Sequence, residues 1–177
     1  GDLWNEKQII TANDPEDREF FGWSTAITSN TLVVGAYRDD ATSLNSGSAY
    51  IFTYNTNNSN YEVNQKIIPT SAVAESFAGY SVAIDNDTLV VGCYGDDVSG
   101  SNQAGSAQVY FRSGNLWTLS SELTANDFGA SDYFGWSVDI SNKTIVVGAY
   151  NKNTGDGGAY VYYNATGNTW TRQATIS

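Results

Sequence analysis

The stretch FGWSTAITSNTLVVGAY at residues 21–37 decides the fold, because both of its ends occur three times in the chain. The opening block appears as FGWS at 21–24, AGYS at 78–81 and FGWS at 134–137. The second block appears as LVVGAY at 32–37, LVVGCY at 89–94 and IVVGAY at 145–150, and a third as GSAYIF at 47–52, GSAQVY at 105–110 and GGAYVY at 157–162. A fixed interval of about 57 residues is typical of solenoids, propellers and other repeat arrays.

Each block has the composition of a short β-strand. Runs of Val, Ile, Leu, Tyr and Phe are bounded by Gly, Asn, Asp and Ser, which favours strands over helices. The linkers at 29–30, 85–87 and 141–143 are rich in residues that tolerate tight hairpins, so the first two strands of each copy should be antiparallel neighbours. A fourth strand begins at Tyr61, Trp117 and Trp170. Four antiparallel strands in each copy predict an all-β chain of propeller blades.

The Phe-Gly opening and the Val-Val-Gly-Ala block resemble the FG-GAP repeat of integrin α-subunit propellers and of many surface proteins. The similarity is greatest to the variant with an Asp-Asp pair after the second block, here Asp39-Asp40 and Asp96-Asp97. The third copy departs from this pattern because it has Lys152-Asn153 there. The resemblance implies a β-propeller that binds other proteins.

Calcium-binding members of this family carry an Asp-x-Asp-x-Asp-Gly loop between strands 1 and 2. Here that linker is only two or three residues long, and Asp85 and Asp87 are its only acidic pair. Two carboxylates fall short of the roughly 6–8 oxygen ligands that calcium prefers. The resemblance therefore implies a non-calcium variant. Calcium stays open as a ligand, but its usual ligands are absent, and we expect no cofactor and no metal.

The repeats divide the chain into three complete blades at 12–69, 70–124 and 125–177. Residues 1–11 should form one extra strand, the outer strand of a preceding or partner blade, because GDLW at 1–4 matches GNLW at 114–117. Propellers close with about four to eight blades, so three blades leave two apolar faces open. Either the chain is a fragment of a longer polypeptide, or other chains complete the ring as an oligomer. Both explanations make neighbouring blades or other protein chains the expected partners.

Acidic residues dominate the charge, with 19 Asp and Glu against 8 Lys and Arg and a net charge of −11. This charge makes nucleic acid and anionic lipid unlikely partners, and no apolar run is long enough for direct membrane insertion. Two kinds of loop should lie on one face of the propeller: those from strand 4 of one blade to strand 1 of the next, and those from strand 2 to strand 3 within a blade. Most of the carboxylates fall on that face. We predict an acidic binding surface there, or else merely solvated loops, with the candidate residues Asp39, Asp40, Asp96, Asp97, Asp127 and Asp132.

Four Asn-x-Ser/Thr sequons fall in hairpins that should lie on the opposite face. Their asparagines are Asn57, Asn86, Asn142 and Asn164. The pattern is that of N-glycosylation acceptors in a secreted protein. Together with the resemblance, it predicts an extracellular or cell-surface location.

No catalytic group stands out. The chain has no His, which excludes Ser-His-Asp, Cys-His and His-based metal sites within it. The repeated rings of Trp23, Tyr80 and Trp136 are more typical of packing between blades than of a ligand site. We therefore predict a non-catalytic extracellular module for protein–protein adhesion or for surface or filament assembly. The alternative is a lectin-like propeller that binds glycans through exposed aromatic rings.

Overall fold

Three antiparallel sheets of four strands make up the chain. The computed structural model describes residues 3–70, 73–165 and 169–176. Each sheet keeps its strands in sequence order, so each is one propeller blade. Blade 1 contains β1 (Ser24–Ile27), β2 (Thr31–Ala36), β3 (Ser48–Asn55) and β4 (Asn60–Ile67). Blade 2 contains β5 (Ala78–Asp85), β6 (Thr88–Cys93), β7 (Ser106–Ser113) and β8 (Leu116–Leu123). Blade 3 contains β9 (Phe134–Ser141), β10 (Thr144–Ala149), β11 (Gly158–Tyr163) and β12 (Thr171–Ile176).

The predicted fold class is confirmed, and the blades do not close into a ring. Within the described ranges the only helix is α1, a single turn at Lys152–Gly155. The tight linkers between the first two strands also form as expected. Asn86 and Asn142 take φ values of 51° and 53° there, a region that Asn tolerates better than most residues.

Both faces of blade 2 are buried because its side chains alternate between two neighbours. Leu89 and Val91 of β6 pack with Val33 and Ile51 of blade 1. Val90, between them, points the other way and packs against blade 3, in a cluster that includes Ile145 and Val147. The period of two in a strand thus assigns one face of each blade to the preceding blade and the other to the following blade. The repeated Val-Val pairs supply both interfaces.

The glycine after each Val-Val pair allows two blades to approach closely. A Cβ on Gly35 would lie 2.0 Å from the main-chain oxygen of Gly79, and one on Gly92 would lie 2.1 Å from that of Gly135. The hydroxyl of the preceding blade's serine donates to the same oxygen, Ser24 to Gly79 at 2.8 Å and Ser81 to Gly135 at 2.8 Å. The glycine after each of these Val-Val pairs therefore marks a close backbone approach, and this approach occurs between blades.

Main-chain hydrogen bonds also join each loop between strands 2 and 3 to the following blade. The amide of Ala78 donates to Ser46 at 3.0 Å, and the amide of Phe134 donates to Ala104 at 2.9 Å. The neighbouring residues repeat the pattern, with Phe77 bonded to Asn45 at 3.1 Å and Tyr133 to Gln103 at 3.2 Å. Blade 2 and blade 3 are thus attached to their predecessors in the same way.

The predicted N-terminal strand does not form among residues 3–11, which join none of the three sheets. Gly1 and Asp2, which belonged to that prediction, lie outside the described residues. A strand requires the backbone of a neighbouring strand, and no strand of the described residues pairs with this segment. The segment is nevertheless placed as an outer strand would be, because Ile10 and Ala12 pack against blade 1.

A glutamine fixes that placement. The side chain of Gln8 donates to the carbonyl of Tyr61 at 2.9 Å and accepts from its amide at 2.8 Å. Gln65 of β4 makes the same pair of bonds to Trp117, at 3.0 and 2.9 Å. Residues 3–11 therefore stand to blade 1 as β4 stands to blade 2.

Two matched glycine substitutions test whether these contacts hold the blades together. We expect Gly92→Ala to lower the free energy of unfolding by about 1–3 kcal/mol, because the Gly135 backbone cannot move away without separating blades 2 and 3. Gly148→Ala should cost less than about 1 kcal/mol, because the one close contact of the new methyl group, at 2.4 Å, is with the rotatable hydroxyl of Ser137. Urea denaturation of both variants measures the difference, and equal losses would contradict this account of the interface.

Candidate functional site

The outer face of blade 3 exposes the positions that are buried in the other two blades. Val146 of β10 is 39% exposed, whereas Val33 and Val90 at the same position are 0% exposed. Ile176 of β12 is 63% exposed, whereas Ile67 is 3% exposed. Each of the buried residues is covered by the following blade. We call this outer face, which contains Ser137, Asp139, Val146, Gly148 and Ile176, the open face.

The open face keeps the features that dock a blade elsewhere in the chain. Gly148 stands where Gly35 and Gly92 admit the next backbone, but the three atoms nearest to a Cβ on it would all belong to Ser137 of its own blade. Gly157 has a φ of 80°, close to the 79° of Gly47, whose hypothetical Cβ would lie 2.2 Å from the carbonyl of Ala78. At Gly157 the nearest such atom is 3.4 Å away. The open face thus keeps the serine and the two glycines that form one half of a junction between blades.

One residue distinguishes the open face from its counterparts. Asp139 occupies the place of Ala26 and Ala83 on the innermost strand. Its side chain is exposed, and its carboxylate accepts a hydrogen bond from the amide of Ile140 at 2.9 Å. A blade that covered this face would have to supply a cation or a hydrogen-bond donor, because burying an unpaired carboxylate is costly.

The first aspartate of each Asp-Asp pair lies in the interior. Asp39 is 1% exposed and Asp96 is 3% exposed. Each carboxylate accepts a hydrogen bond at 2.5 Å from the first serine of strand 3, Ser48 or Ser106. These two residues are therefore removed from the predicted acidic binding surface. Both residues belong to an acidic loop pair, as predicted, but their side chains point inward and hold strand 3 in place.

The second aspartate of each pair is exposed and closes the loop that follows strand 2. Asp40 accepts a hydrogen bond from the amide of Asn45 at 2.6 Å, and Asp97 accepts one from the amide of Gln103 at 2.8 Å. Asp and Asn side chains commonly stabilise loops in this way. These carboxylates stay on the surface and shape the loops whose carbonyls bind the next blade.

Lys66 of β4 joins two carboxylates of blade 1 into one network. Its ammonium lies 2.7 Å from Asp14 and 2.7 Å from Asp39. The Tyr50 hydroxyl donates to the same two carboxylates, at 2.8 and 3.2 Å. Burial alone would lower the pKa of Lys66, but its hydrogen bonds to Asp14, Asp39 and Tyr50 outweigh burial and raise it. The network is a structural clamp between the 4–1 segment and blade 1.

Blade 3 uses a cation where the others use aspartate. Lys152, which replaces Asp39 and Asp96, is 7% exposed, and its ammonium lies 2.9 Å from the carboxylate of Asp132. Asp132 is itself 5% exposed, so it too leaves the predicted binding surface. Lys152 also donates to the main-chain oxygen of Asp127. The half-exposed Asp127 carboxylate accepts from the Tyr160 hydroxyl at 3.0 Å.

A continuous band of aromatic rings crosses the three blades at the loop end of the inner strands. Trp23 and Tyr80 are 5.4 Å apart, and Tyr80 and Trp136 are 4.5 Å apart, so these rings pack from blade to blade as expected. The band consists of Phe20, Trp23, Tyr37, Phe77, Tyr80, Tyr94, Tyr133, Trp136 and Tyr150. Arg38 stacks on Phe20 at one end, 5.3 Å from the ring centre. The band fixes how neighbouring blades are oriented.

The four sequon asparagines do not share one environment. Asn57, Asn86 and Asn142 are exposed in hairpin turns. Asn164 is 3% exposed, and its amide donates to the carbonyl of Lys143 at 3.0 Å. Thr166, which completes its sequon, lies outside the described residues. The folded chain therefore presents three of these asparagines to solvent.

The described residues contain neither a cluster that could hold a metal ion nor a helix that could span a membrane. Among them, no group of three or more Asp, Glu, Cys or His side chains is arranged to hold a metal ion. In the same ranges, no helix has the length and apolar character needed to cross a bilayer. Cys93 is a buried free thiol whose pKa is raised by burial, which makes it a small core residue.

The chain belongs to the FG-GAP repeat family, whose sequence profile matches residues 4–52, 61–110 and 117–162. No curated protein sequence matches it. Among solved structures, it is similar to Sqt1 of Saccharomyces cerevisiae, with 12% identity and a TM-score of 0.59 over 91% of this chain and 36% of Sqt1. It is also similar to a europium-containing methanol dehydrogenase, with 12% identity and a TM-score of 0.53 over 84% of this chain and 23% of the dehydrogenase. These likenesses concern the fold alone, and the chain spans well under half of either protein.

Removal of the buried ammonium tests the charge exchange in blade 3. We expect Lys152→Gln to lower the free energy of unfolding by about 3 kcal/mol, because Asp132 would be left buried without its cation. The double variant Lys152→Gln with Asp132→Asn should recover part of that loss. Urea denaturation of the two variants measures both values. A double variant as unstable as the single one would contradict the pairing.

Proposed function

We propose that this chain is a non-catalytic protein-binding module that docks a further blade on its open face, in adhesion or in the assembly of a surface structure. One observation carries the proposal. Ser137, Gly148 and Gly157 repeat the residues with which blades 1 and 2 receive the next blade. Unlike Gly35 and Gly92, Gly148 does not lie against a backbone carbonyl of a following blade in the described residues. The family and its repeats support a protein-binding role.

The partner is a blade of FG-GAP type that carries a basic or hydrogen-bond-donating side chain opposite Asp139. The apolar positions Val146 and Ile176 supply the attraction, and Asp139 selects among blades. A second copy of this chain fits less well. In that second copy, Ile10 and Ala12 already cover blade 1. They occupy the place that the outer strand of blade 3 from the first copy would need.

The acidic loop face contributes through its exposed members, Asp40, Asp97 and Asp127. Asp40 and Asp97 already cap their own loops, so their contribution to a partner is mainly long-range attraction. A net charge of −11 favours a partner with basic residues around its docking surface. This effect raises the association rate at low ionic strength and decreases in salt.

An extracellular or cell-surface location completes the proposal. FG-GAP repeats are typical of surface proteins, and three sequon asparagines are exposed on the hairpin face, away from the acidic loops. Glycans on that face would leave both the open face and the loops accessible. The glycan-binding alternative has less support in the repeated aromatics, since Trp23, Tyr80 and Trp136 are packed against one another.

Extending the chain provides a direct test of docking. We expect a copy of residues 125–177 added after Ser177 to fold onto blade 3, because the added segment carries the complementary half of the junction. Urea denaturation should then show higher stability than for the 177-residue chain, and hydrogen exchange should show greater protection of β10. Asp139→Ala in the extended chain should raise the stability further, since it restores the alanine of blades 1 and 2.

The matched control is Gly148→Val, made in both lengths of the chain. In the extended chain the valine would meet the backbone of the added blade, so the gain in stability should be lost. In the 177-residue chain the same change should have a much smaller effect. An added blade that stays unfolded with Gly148 in place would count against docking on the open face.

Glycan occupancy tests the proposed location. In a eukaryotic secretory host we expect glycans on Asn57, Asn86 and Asn142 of the folded protein and none on Asn164, because the Asn164 side chain is buried and a chain that carries a glycan there could not fold. Peptide mass spectrometry before and after glycosidase treatment measures each position. Unmodified protein from such a host would contradict the glycoprotein proposal, and a glycan on Asn164 would contradict its burial.

A further inference from the structure

A cavity of about 190 Å³ opens between blades 2 and 3 on the hairpin face. It is lined by none of the residues that define the open face, and it lies at the end of the strands where the hairpins between strands 1 and 2 turn. Apolar atoms form most of its wall, with polar groups at its margin. Its lining consists of Thr88, Phe111, Asn142, Lys143, Asn164 and Trp170.

The equivalent space between blades 1 and 2 is occupied by the side chain of Arg112. Its guanidinium binds Asp87 at 2.7 and 2.6 Å and donates to the Thr31 hydroxyl of blade 1 at 3.3 Å. It also lies 5.6 Å from the ring centre of Trp117. Thr31 and Trp117 are 0% and 3% exposed. One planar cation thus fills the earlier junction.

The repeats show what changed in the later junction. Thr88 and Trp170 repeat Thr31 and Trp117, but the arginine is replaced by Asn164 and its partner Asp87 by Lys143. Asparagine is too short to cross the gap that Arg112 spans. The space over the tryptophan therefore remains as a cavity, and the net charge of the two positions changes from zero in the Arg112–Asp87 pair to positive.

Lys143 is an exposed cation beside this cavity, and Trp170 forms part of its wall. The indole Nε1 of Trp170 is buried and makes no hydrogen bond. Lys143 forms no ion pair with any carboxylate in the described ranges. The neighbouring carboxylate of Asp85 is engaged, since it accepts from the amide of Asn142 at 2.5 Å and from the side chain of Asn86 at 2.8 Å. The cavity thus calls for an acceptor with negative charge.

We propose that this cavity binds a small carboxylate-bearing ring compound, about the size of one uronic acid residue. The ring would lie against Trp170 as the guanidinium lies against Trp117, and the carboxylate would pair with Lys143. A volume of about 190 Å³ is below the roughly 300 Å³ of the smallest typical drug-sized pockets, which limits the ligand to one ring. This site is separate from the open face, and it does not depend on docking there.

Titration with D-glucuronate, followed by the indole N–H resonances in ¹⁵N spectra, tests the proposal. The 177-residue chain is made without N-glycans, because Asn142 lines the cavity, and Trp170→Phe identifies the resonance. We expect the Trp170 signal to shift saturably while that of Trp117 stays in place. D-glucose, which lacks the carboxylate, should bind at least about tenfold more weakly, as should glucuronate to Lys143→Gln.

The control is the double variant Asn164→Arg with Lys143→Asp, which copies the Arg112–Asp87 pair into this junction. It should keep the Trp117 resonance of the native fold and lose glucuronate binding, because the new guanidinium fills the cavity. An unmoved Trp170 signal in the native chain would overturn the proposal. Equal binding of glucose and glucuronate, or full binding by a folded double variant, would overturn it as well.

Discussion

Backbone contact between consecutive blades is the constraint on which this structure depends. Gly35 and Gly92 each lie so close to a carbonyl of the next blade that no side chain fits between them. This approach brings the serine hydroxyls within reach of the same carbonyl and lets the loop carbonyls bind the next blade's amides. The apolar faces then close over buried valines, leucines and isoleucines. Packing follows from this contact and could not be reached with a bulkier residue at the glycine.

The same backbone positions accept different chemistry from blade to blade, provided that neighbouring residues change together. The position after strand 2 holds a buried carboxylate in Asp39 and Asp96 but a buried ammonium in Lys152. Asp132 supplies the compensating charge in blade 3. At the hairpin face, the junction between blades 1 and 2 follows this rule and the junction between blades 2 and 3 does not. Arg112 and Asp87 satisfy each other, whereas Asn164 and Lys143 leave a cavity with a net positive charge.

Periodicity predicted the blades and their antiparallel strands, because a repeated pattern of strands and turns leaves few alternatives. It could not predict that Asp39 and Asp96 turn inward, since an Asp-Asp pair in a loop reads the same whether its first side chain meets Ser48 or water. The outer strand predicted at residues 1–11 does not form at residues 3–11 for another reason, because a strand depends on a partner strand and none of the described residues supplies one. The cavity at Trp170 left a signal in the sequence: the change from Arg112 to Asn164 is visible once the repeats are aligned.

The sequence repeat and the blade are out of step by one strand. Each family match starts at an outer strand position, near Trp4, Tyr61 or Trp117, and ends in the third strand of the following blade. Gln8 and Gln65 hold those outer segments against the blade that their own repeat goes on to form. The second and third sequence repeats thus each contribute strands to two neighbouring blades. Insertion or deletion of a whole repeat would therefore add or remove parts of two neighbouring blades. At every remaining junction the chain would still run continuously from one blade into the next.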